Sequence, residues 1–184
     1  MKPRMAEHRP GLVVRWIGCI VLPAVVAAAV AGCSRGETVT ADSLAAAKAV
    51  WARAGVRNYQ LEWKASGTNS AHYVVTVRDG AVTLIVSLTP KGDEVPVHPA
   101  ETKFYSVDGL FTTIADELAQ LKTERPFGQP PEAKVVMRAR FDPKLGYPVS
   151  YHRDVLGTTQ GLAIDVIHLI PTIIPVNPDG SPKT

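Results

Sequence analysis

The sequence predicts an α+β fold in which two helices pack on one face of an antiparallel sheet, in the element order α-β-β-β-α-β-β-β. Apolar residues recur at helical spacing in two segments, and apolar and polar residues alternate in six others. Turn-forming residues separate the alternating segments. Each predicted element has one apolar face, and packing both helices on the same side of the sheet buries these faces together.

The first helix is predicted to begin at Thr40 or Asp42, because either side chain can cap a helix N-terminus. Gly55 marks its predicted end, since glycine readily adopts the left-handed conformation there. Its apolar positions, at spacings of three and four, are Leu44, Ala47, Val50, Trp51 and Ala54. This stripe needs a second surface to cover it.

Three alternating segments follow, and each predicts a half-buried strand. A turn at 67–70 joins the first two, and Asp79-Gly80, a strong hairpin signal, joins the second and third. The positions predicted to face the helices are Tyr59, Leu61, Trp63 and Ala65, then Tyr73, Val75 and Val77, then Val82, Leu84, Val86 and Leu88.

A second helix and three further strands make up the other half of the predicted domain, which spans residues 41–170. The proline-containing segment 89–104 predicts a surface loop, and Ser106 is positioned to cap the second helix. The apolar positions of this helix are Val107, Leu110, Phe111, Ile114, Leu118 and Leu121. After a loop at 125–132, the inward strand positions are Val135, Met137, Ala139 and Phe141, then Tyr147, Val149 and Tyr151, then Leu162, Ile164, Val166, His168 and Ile170. Residues 171–184, with four prolines, predict a disordered tail.

The N-terminal segment has the pattern of a secretory signal peptide. Basic residues precede an apolar run from Trp16 to Ala31, which ends in Val30-Ala31-Gly32-Cys33. The run is about 16 residues long and contains Pro23, so it is shorter than the roughly 20 residues of a transmembrane helix, the alternative interpretation. We therefore predict a cleaved signal peptide at 1–32 and a short tether at 33–40.

The four residues that end at Cys33 resemble the lipobox of bacterial lipoproteins. The resemblance implies that Cys33 carries a diacylglyceryl group and becomes the first residue of the mature chain. It also implies a location in the bacterial cell envelope, on the extracytoplasmic face of the inner or the outer membrane. The other cysteine, Cys19, lies in the part removed by cleavage, so the mature chain is expected to have neither a disulfide nor a free thiol.

The net charge of +3 comes from the signal segment. The chain has 20 Lys and Arg and 17 Asp and Glu, and residues 1–32 hold four of the basic residues and one of the acidic ones. The mature chain therefore keeps 16 of each sign and is neutral. A neutral chain has no global positive field for phosphates, so nucleic acid is not an expected partner.

No catalytic or metal-binding motif stands out in the sequence. His72, His98, His152 and His168 lie on separate elements without the close spacing of zinc ligands, and the nucleophile elbow and the phosphate-binding loops are missing. We expect His168 to be a hydrogen-bonded core residue, and His72 and His152 fall on strands where they could meet across the sheet. We predict no enzyme activity, no cofactor and no metal.

Four motifs resemble, in their order, a family of secreted bacterial lipoproteins built on a domain of unknown function. They are Asn58-Tyr59-Gln60-Leu61, Val75-Thr76-Val77-Arg78-Asp79-Gly80, Tyr105-Ser106-Val107-Asp108-Gly109-Leu110-Phe111 and Phe141-Asp142-Pro143-Lys144-Leu145-Gly146-Tyr147-Pro148. The resemblance implies fold and location and no particular activity. Many family members carry a cysteine pair after the first strand, which this chain lacks, so no family disulfide is implied here.

The functional expectation is a monomeric, non-enzymatic domain that is bound to the membrane through Cys33 and contacts an envelope protein. Core packing explains most aromatic residues of the sheet, which are Tyr59, Trp63, Tyr73, Tyr105, Tyr147 and Tyr151. If Tyr147 and Tyr151 face outward beside His152, they form a binding face. The loop at 89–104 is the other candidate contact. Two alternatives stay open: a module that inhibits an envelope protease or hydrolase, by analogy of fold, and an unrecognised hydrolase.

Overall fold

The computed structural model describes residues 36–67 and 70–172. The predicted signal peptide, Cys33 and residues 173–184 of the predicted tail lie outside this range. The helices are α1 (Ala41–Ala54) and α2 (Val107–Gln120), and a 3₁₀ turn (Thr102–Tyr105) precedes α2. The strands are β1 (Glu37–Thr38), β2 (Tyr59–Gly67), β3 (Ala71–Arg78), β4 (Ala81–Leu88), β5 (Glu94–Pro96), β6 (Val135–Phe141), β7 (Pro148–Val155) and β8 (Gly161–Pro171).

The strands form one antiparallel sheet in the order β1-β6-β7-β8-β2-β3-β4-β5. Both helices pack on one face of it, as the sequence predicts, and the opposite face is called the outer face below. The two halves of the chain meet where β8 pairs with β2. The predicted loop at 89–104 is wrong in part, because it contains the edge strand β5 and the 3₁₀ turn.

The helix starts follow the predicted capping chemistry. Thr40 and Ser43 form a reciprocal capping box at the start of α1. Ser106 Oγ accepts a hydrogen bond from the Gly109 N–H at the start of α2, and the hydroxyl of Tyr59 accepts one from the Val107 N–H. A core tyrosine of the sheet thus supplies a second cap for α2 and fixes where this helix begins.

Apolar and aromatic contacts join the helices to the sheet. Trp51 of α1 meets the edge of Tyr59 with ring centroids 5.6 Å apart, and Phe111 of α2 stacks on Phe141 at 6.1 Å. The turn between β6 and β7 also touches α1. Gly146 in this turn has φ +82°, and a Cβ there would lie 2.4 Å from the Ala47 carbonyl oxygen. Only glycine fits both the dihedral angle and the close approach.

Two β-bulges overturn part of the predicted pattern of faces. The β3–β4 register shifts at Thr76/Val77, so Val82 faces the helices while Leu84 lies on the outer face and is 46% exposed. The β2–β8 register shifts at Glu62/Trp63, which turns His168 and Ile170 outward. The prediction of a core His168 is therefore wrong, because one extra residue reverses every later position of a strand.

Strand β1 lies inside the segment predicted as a tether. Glu37 and Thr38 pair with β6, and the Val39 N–H donates to the Met137 carbonyl oxygen at 3.1 Å. Val39 is buried in the core. Residues 37–39 are therefore held against the sheet edge, and only the residues before them remain to link Cys33 to the domain.

Candidate functional site

A cleft lined by aromatic residues opens between the helix-facing side of the sheet and the start of α2. Its volume is about 520 Å³. Trp63 of β2 and Tyr73 of β3 form one wall, with ring centroids 5.0 Å apart. Tyr105 of the 3₁₀ turn stands edge-on to Tyr73 at 5.0 Å, so the three rings form one continuous aromatic surface, called the aromatic cleft below.

Two interactions place the 3₁₀ turn against the sheet and so shape this cleft. The indole Nε1–H of Trp63 donates to the Tyr105 carbonyl oxygen at 3.2 Å. Gly109 in the first turn of α2 lies so close to the 3₁₀ turn that a Cβ there would meet the Lys103 carbonyl oxygen at 2.3 Å. The glycine lets the two backbones touch, and the tryptophan ties the turn to β2.

The rest of the aromatic cleft is mostly apolar, with few polar groups at its rim. The floor contains the small residues Ala65 and Ala71, and Glu101 at the rim pairs with Lys103 at 3.2 Å. The other lining residues are Pro99, Ala100, Phe104, Leu110, Thr113, Leu162 and Ile164. Burial is the main cause that raises the pKa of Tyr105, and the electrostatic interaction and hydrogen bond with the Tyr73 phenol raise this pKa further. The volume and the lining residues of the aromatic cleft match those of a site that binds an apolar group and orients this group by a few polar contacts.

The three residues of the predicted binding face do not lie on one surface. Tyr151 is 1% exposed and faces the helices, so an outward-facing Tyr151 is wrong. His152, the next residue along β7, lies on the outer face. Tyr147 is half-buried against the core, and this burial raises the pKa of its phenol. Adjacent strand residues point to opposite faces, which is why Tyr151 and His152 separate.

Tyr151 belongs to a polar cluster between β7 and α2. Its hydroxyl donates to Glu117 Oε2 at 2.5 Å. Arg153 Nε lies 3.3 Å from the same oxygen, without the alignment of a hydrogen bond, and the guanidinium stacks on the Phe127 ring at 3.9 Å. Glu117 and Arg153 each keep 13% of the side chain exposed. This phenol–carboxylate–guanidinium cluster ties α2 to the sheet.

The histidines of the two hairpins do not meet, and that expectation is wrong. His72 Nε2 lies 2.7 Å from Glu62 Oε1, and His152 Nε2 lies 3.3 Å from Asp165 Oδ1. Strands β8 and β2 separate His152 from His72. Each ring thus has its own carboxylate neighbour on the outer face. Within residues 36–67 and 70–172, no group of three His, Cys, Asp or Glu side chains is arranged to hold a metal ion.

We expect stability to fall at alkaline pH because two buried phenols resist ionisation. Burial raises the pKa of Tyr59 to about 12, and burial together with Glu117 raises the pKa of Tyr151 from its ordinary value of 10.0. Above pH 10 the unfolded chain loses phenolic protons that the folded chain keeps, so this stability is complete below pH 10 and declines as the pH rises towards the folded pKa values. Each phenol contributes a slope of up to about 1.4 kcal/mol per pH unit.

Urea unfolding between pH 8 and pH 11 measures this slope. The Tyr151→Phe variant separates it from lysine titration, because the variant loses one phenol and keeps every lysine. Its free energy of unfolding should decline less steeply above pH 10 than that of the wild type. Equal slopes for the two proteins contradict the prediction.

Comparison with protein families identifies the domain. Residues 43–156 match the model of a family of unknown function, DUF6174, and this match covers more than half of the chain. The chain belongs to this family. A comparison with curated proteins finds no match.

The DUF6174 match runs from the first turn of α1 to the end of β7 and includes most of the aromatic cleft. Within it, the four sequence motifs hold elements together. Asn58 Oδ1 accepts a hydrogen bond from the Asp79 N–H, and this bond joins the first motif to the hairpin turn of the second motif. The Tyr59 hydroxyl of the first motif accepts a hydrogen bond from the Val107 N–H of the third motif and so caps α2. Asp142 Oδ1 of the fourth motif accepts from the Leu145 N–H in its own turn.

Sequence reasoning missed the aromatic cleft. It placed Trp63 and Tyr73 correctly on the helix-facing side, and it assigned most such aromatic residues to core packing. The available signal was Tyr105, an aromatic residue next to the cap of α2 and directly after the segment 89–104, which contains three prolines. A rigid segment with an aromatic residue at its end can form the wall of a cleft, but which strand it covers depends on the path of the chain between β5 and α2.

Proposed function

We propose that this chain is a lipoprotein of the bacterial cell envelope whose DUF6174 domain acts by binding. Cys33 carries the lipid, and the aromatic cleft receives apolar side chains of an envelope protein. Support for the anchor comes from the basic head, the apolar run and the lipobox-like residues Val30 to Cys33. In the part of the chain that the structure describes, neither helix has the length and apolarity needed to cross a membrane.

The observation that carries the binding proposal is the composition of the aromatic cleft. Tryptophan and tyrosine are enriched at the centres of protein interfaces, because they give a large contact area for little conformational entropy. Trp63, Tyr73 and Tyr105 form such an aromatic surface along the wall of the 520 Å³ cleft. Polar groups such as Glu101 lie at its rim, as in interfaces with an apolar centre and a polar edge.

The anchor is tested by replacing the lipidated residue. The Cys33→Ala variant is expected to leave the membrane fraction of bacterial cells and to lack the mass of an acyl-modified N-terminus. A variant that stays in the membrane fraction with an unchanged mass overturns the lipoprotein proposal. This test does not involve the cleft, so the two parts of the proposal fail separately.

The cleft is tested by photocrosslinking in intact cells, with a photoreactive phenylalanine in place of Glu101 at the rim. We expect a crosslinked adduct with one discrete mass. The amount of this adduct should fall at least about fivefold in the Ala71→Trp variant, because the indole occupies the space of the partner side chain. The matched control is Ala163→Trp, the same substitution on β8 beside the outer-face residue His152. An adduct that survives Ala71→Trp, or that both variants remove equally, overturns the assignment of the cleft.

A further inference from the structure

A second apolar depression lies between α1 and α2 on the side away from the sheet. It has a volume of about 570 Å³. Leu44 and Phe111 are buried at its base, and four exposed alanines form its walls: Ala41, Ala45, Ala115 and Ala119. Thr112 and Leu118 complete the lining, and Lys48 and Lys122 lie at its edges. We call this depression the helical groove.

The helical groove exists because the residues between the two helices are small. Ala41 and Ala45 are four residues apart on α1, as are Ala115 and Ala119 on α2, so each pair follows one side of its helix. The side chain at each of these four positions is only a methyl group, so the space above the buried residues Leu44 and Phe111 stays open as a channel. The walls are apolar, and the aliphatic stems of the two lysines extend the apolar surface while their ammonium groups reach outward.

The groove lies close to the proposed lipid along the chain. Ala41, the first residue of α1, is itself a wall of the groove, and β1 fixes the preceding residues to the sheet edge. Cys33 is three residues from Gly36, a distance of at most about 11 Å for extended chain. Four residues, 37–40, lie between Gly36 and Ala41. A lipid on Cys33 therefore keeps this end of the helical layer next to the bilayer surface.

We propose that the helical groove docks on the lipid bilayer and takes acyl chains between its alanine walls. This inference rests on the proposed lipid anchor at Cys33. Docking follows from apolar burial, with Lys48 and Lys122 at the level of the headgroup phosphates. Asp42 and Asp116 are exposed on the same helices and balance the two lysines. Docking is therefore expected on zwitterionic lipid and does not require anionic lipid.

The experiment uses the mature lipidated protein in vesicles of phosphatidylcholine. Acylation of Cys33 and removal of Cys19 leave no other thiol, so a single introduced cysteine carries an environment-sensitive nitrobenzoxadiazole dye. The test variant is Ala115→Cys in the groove. The matched control is Leu84→Cys, whose side chain is exposed on the outer face.

We expect blue-shifted emission from the dye at Ala115→Cys and quenching by spin-labelled lipid at least about threefold stronger than at Leu84→Cys. If the dye at Ala115→Cys shows the emission of a dye in water while the protein remains with the vesicles, groove docking is overturned and the anchor is not. A different result is a dye that is shielded from water in a nonionic detergent as well, and more strongly at higher protein concentration. That result overturns bilayer docking, because it shows that a second copy of this chain covers the groove. Labelling of the wild-type protein reveals a free Cys33 thiol, and that result overturns the anchor itself.

Discussion

Replacing Gly146 by alanine is expected to lower the free energy of unfolding by about 3 kcal/mol or more. A side chain at φ +82° strains the backbone, and its Cβ would lie 2.4 Å from the Ala47 carbonyl oxygen and 2.7 Å from the Trp51 nitrogen. These contacts are with helix backbone, which cannot turn aside as a side chain can. The β6–β7 turn must therefore move away from α1.

Gly157→Ala is the matched control for this experiment. Gly157 has nearly the same φ, +80°, and a Cβ there would meet no atom within 4 Å. Its substitution is expected to cost about 1 kcal/mol from backbone strain alone. Chemical unfolding followed by circular dichroism gives both values, and the difference between them measures the contact with α1. Equal losses in the two variants would show that this contact contributes nothing.

The second large effect is expected from Glu117→Gln. This change keeps the shape of the side chain and removes the charge that faces the Arg153 guanidinium, leaving a mostly buried cation without its counter-ion. Removing one partner of a buried ion pair costs about 3 kcal/mol or more. Asp116→Asn is the control, because the neighbouring carboxylate is exposed, and it should change stability by less than about 0.5 kcal/mol.

The double variant Glu117→Gln with Arg153→Met tests the cause of this loss. A methionine at 153 removes the unpaired charge and keeps an apolar side chain against the Phe127 ring, so most of the lost stability should return. Denaturant midpoints of the single and double variants decide the matter. If the double variant is no more stable than Glu117→Gln, the unpaired charge is not the reason for the loss.

The order and type of the main elements could be predicted from the sequence because each depends on local chemistry. Thr40, Ser106 and Asp79-Gly80 act on backbone groups within a few residues, and alternation within a strand fixes its two faces. The bulges could not be predicted in this way. A bulge in β8 depends on how that strand pairs with β2, some 100 residues earlier in the chain, and the inward assignments of His168 and Ile170 failed for this reason.

The candidate sites depend even more on contacts between distant segments. Trp63 and Tyr73 follow from strand pattern, but the cleft forms only where Tyr105 approaches them, 42 residues after Trp63. The helical groove similarly requires two helices to align their alanines. In a sequence these alanines indicate only good helix formers, because nothing local shows that Ala45 and Ala115 share a surface.

Strand β1 also has a mechanical consequence. If the proposed lipid on Cys33 is held in a membrane and a partner pulls on the domain, tension along the chain reaches the β1–β6 hydrogen bonds before it reaches α1. Few bonds hold this two-residue strand, so it yields before the longer strands of the sheet. Release of residues 37–39 adds about 10 Å of extended chain between the lipid and the domain. Under tension, the edge strand therefore detaches first and lengthens the link between the lipid and the domain while the core stays folded.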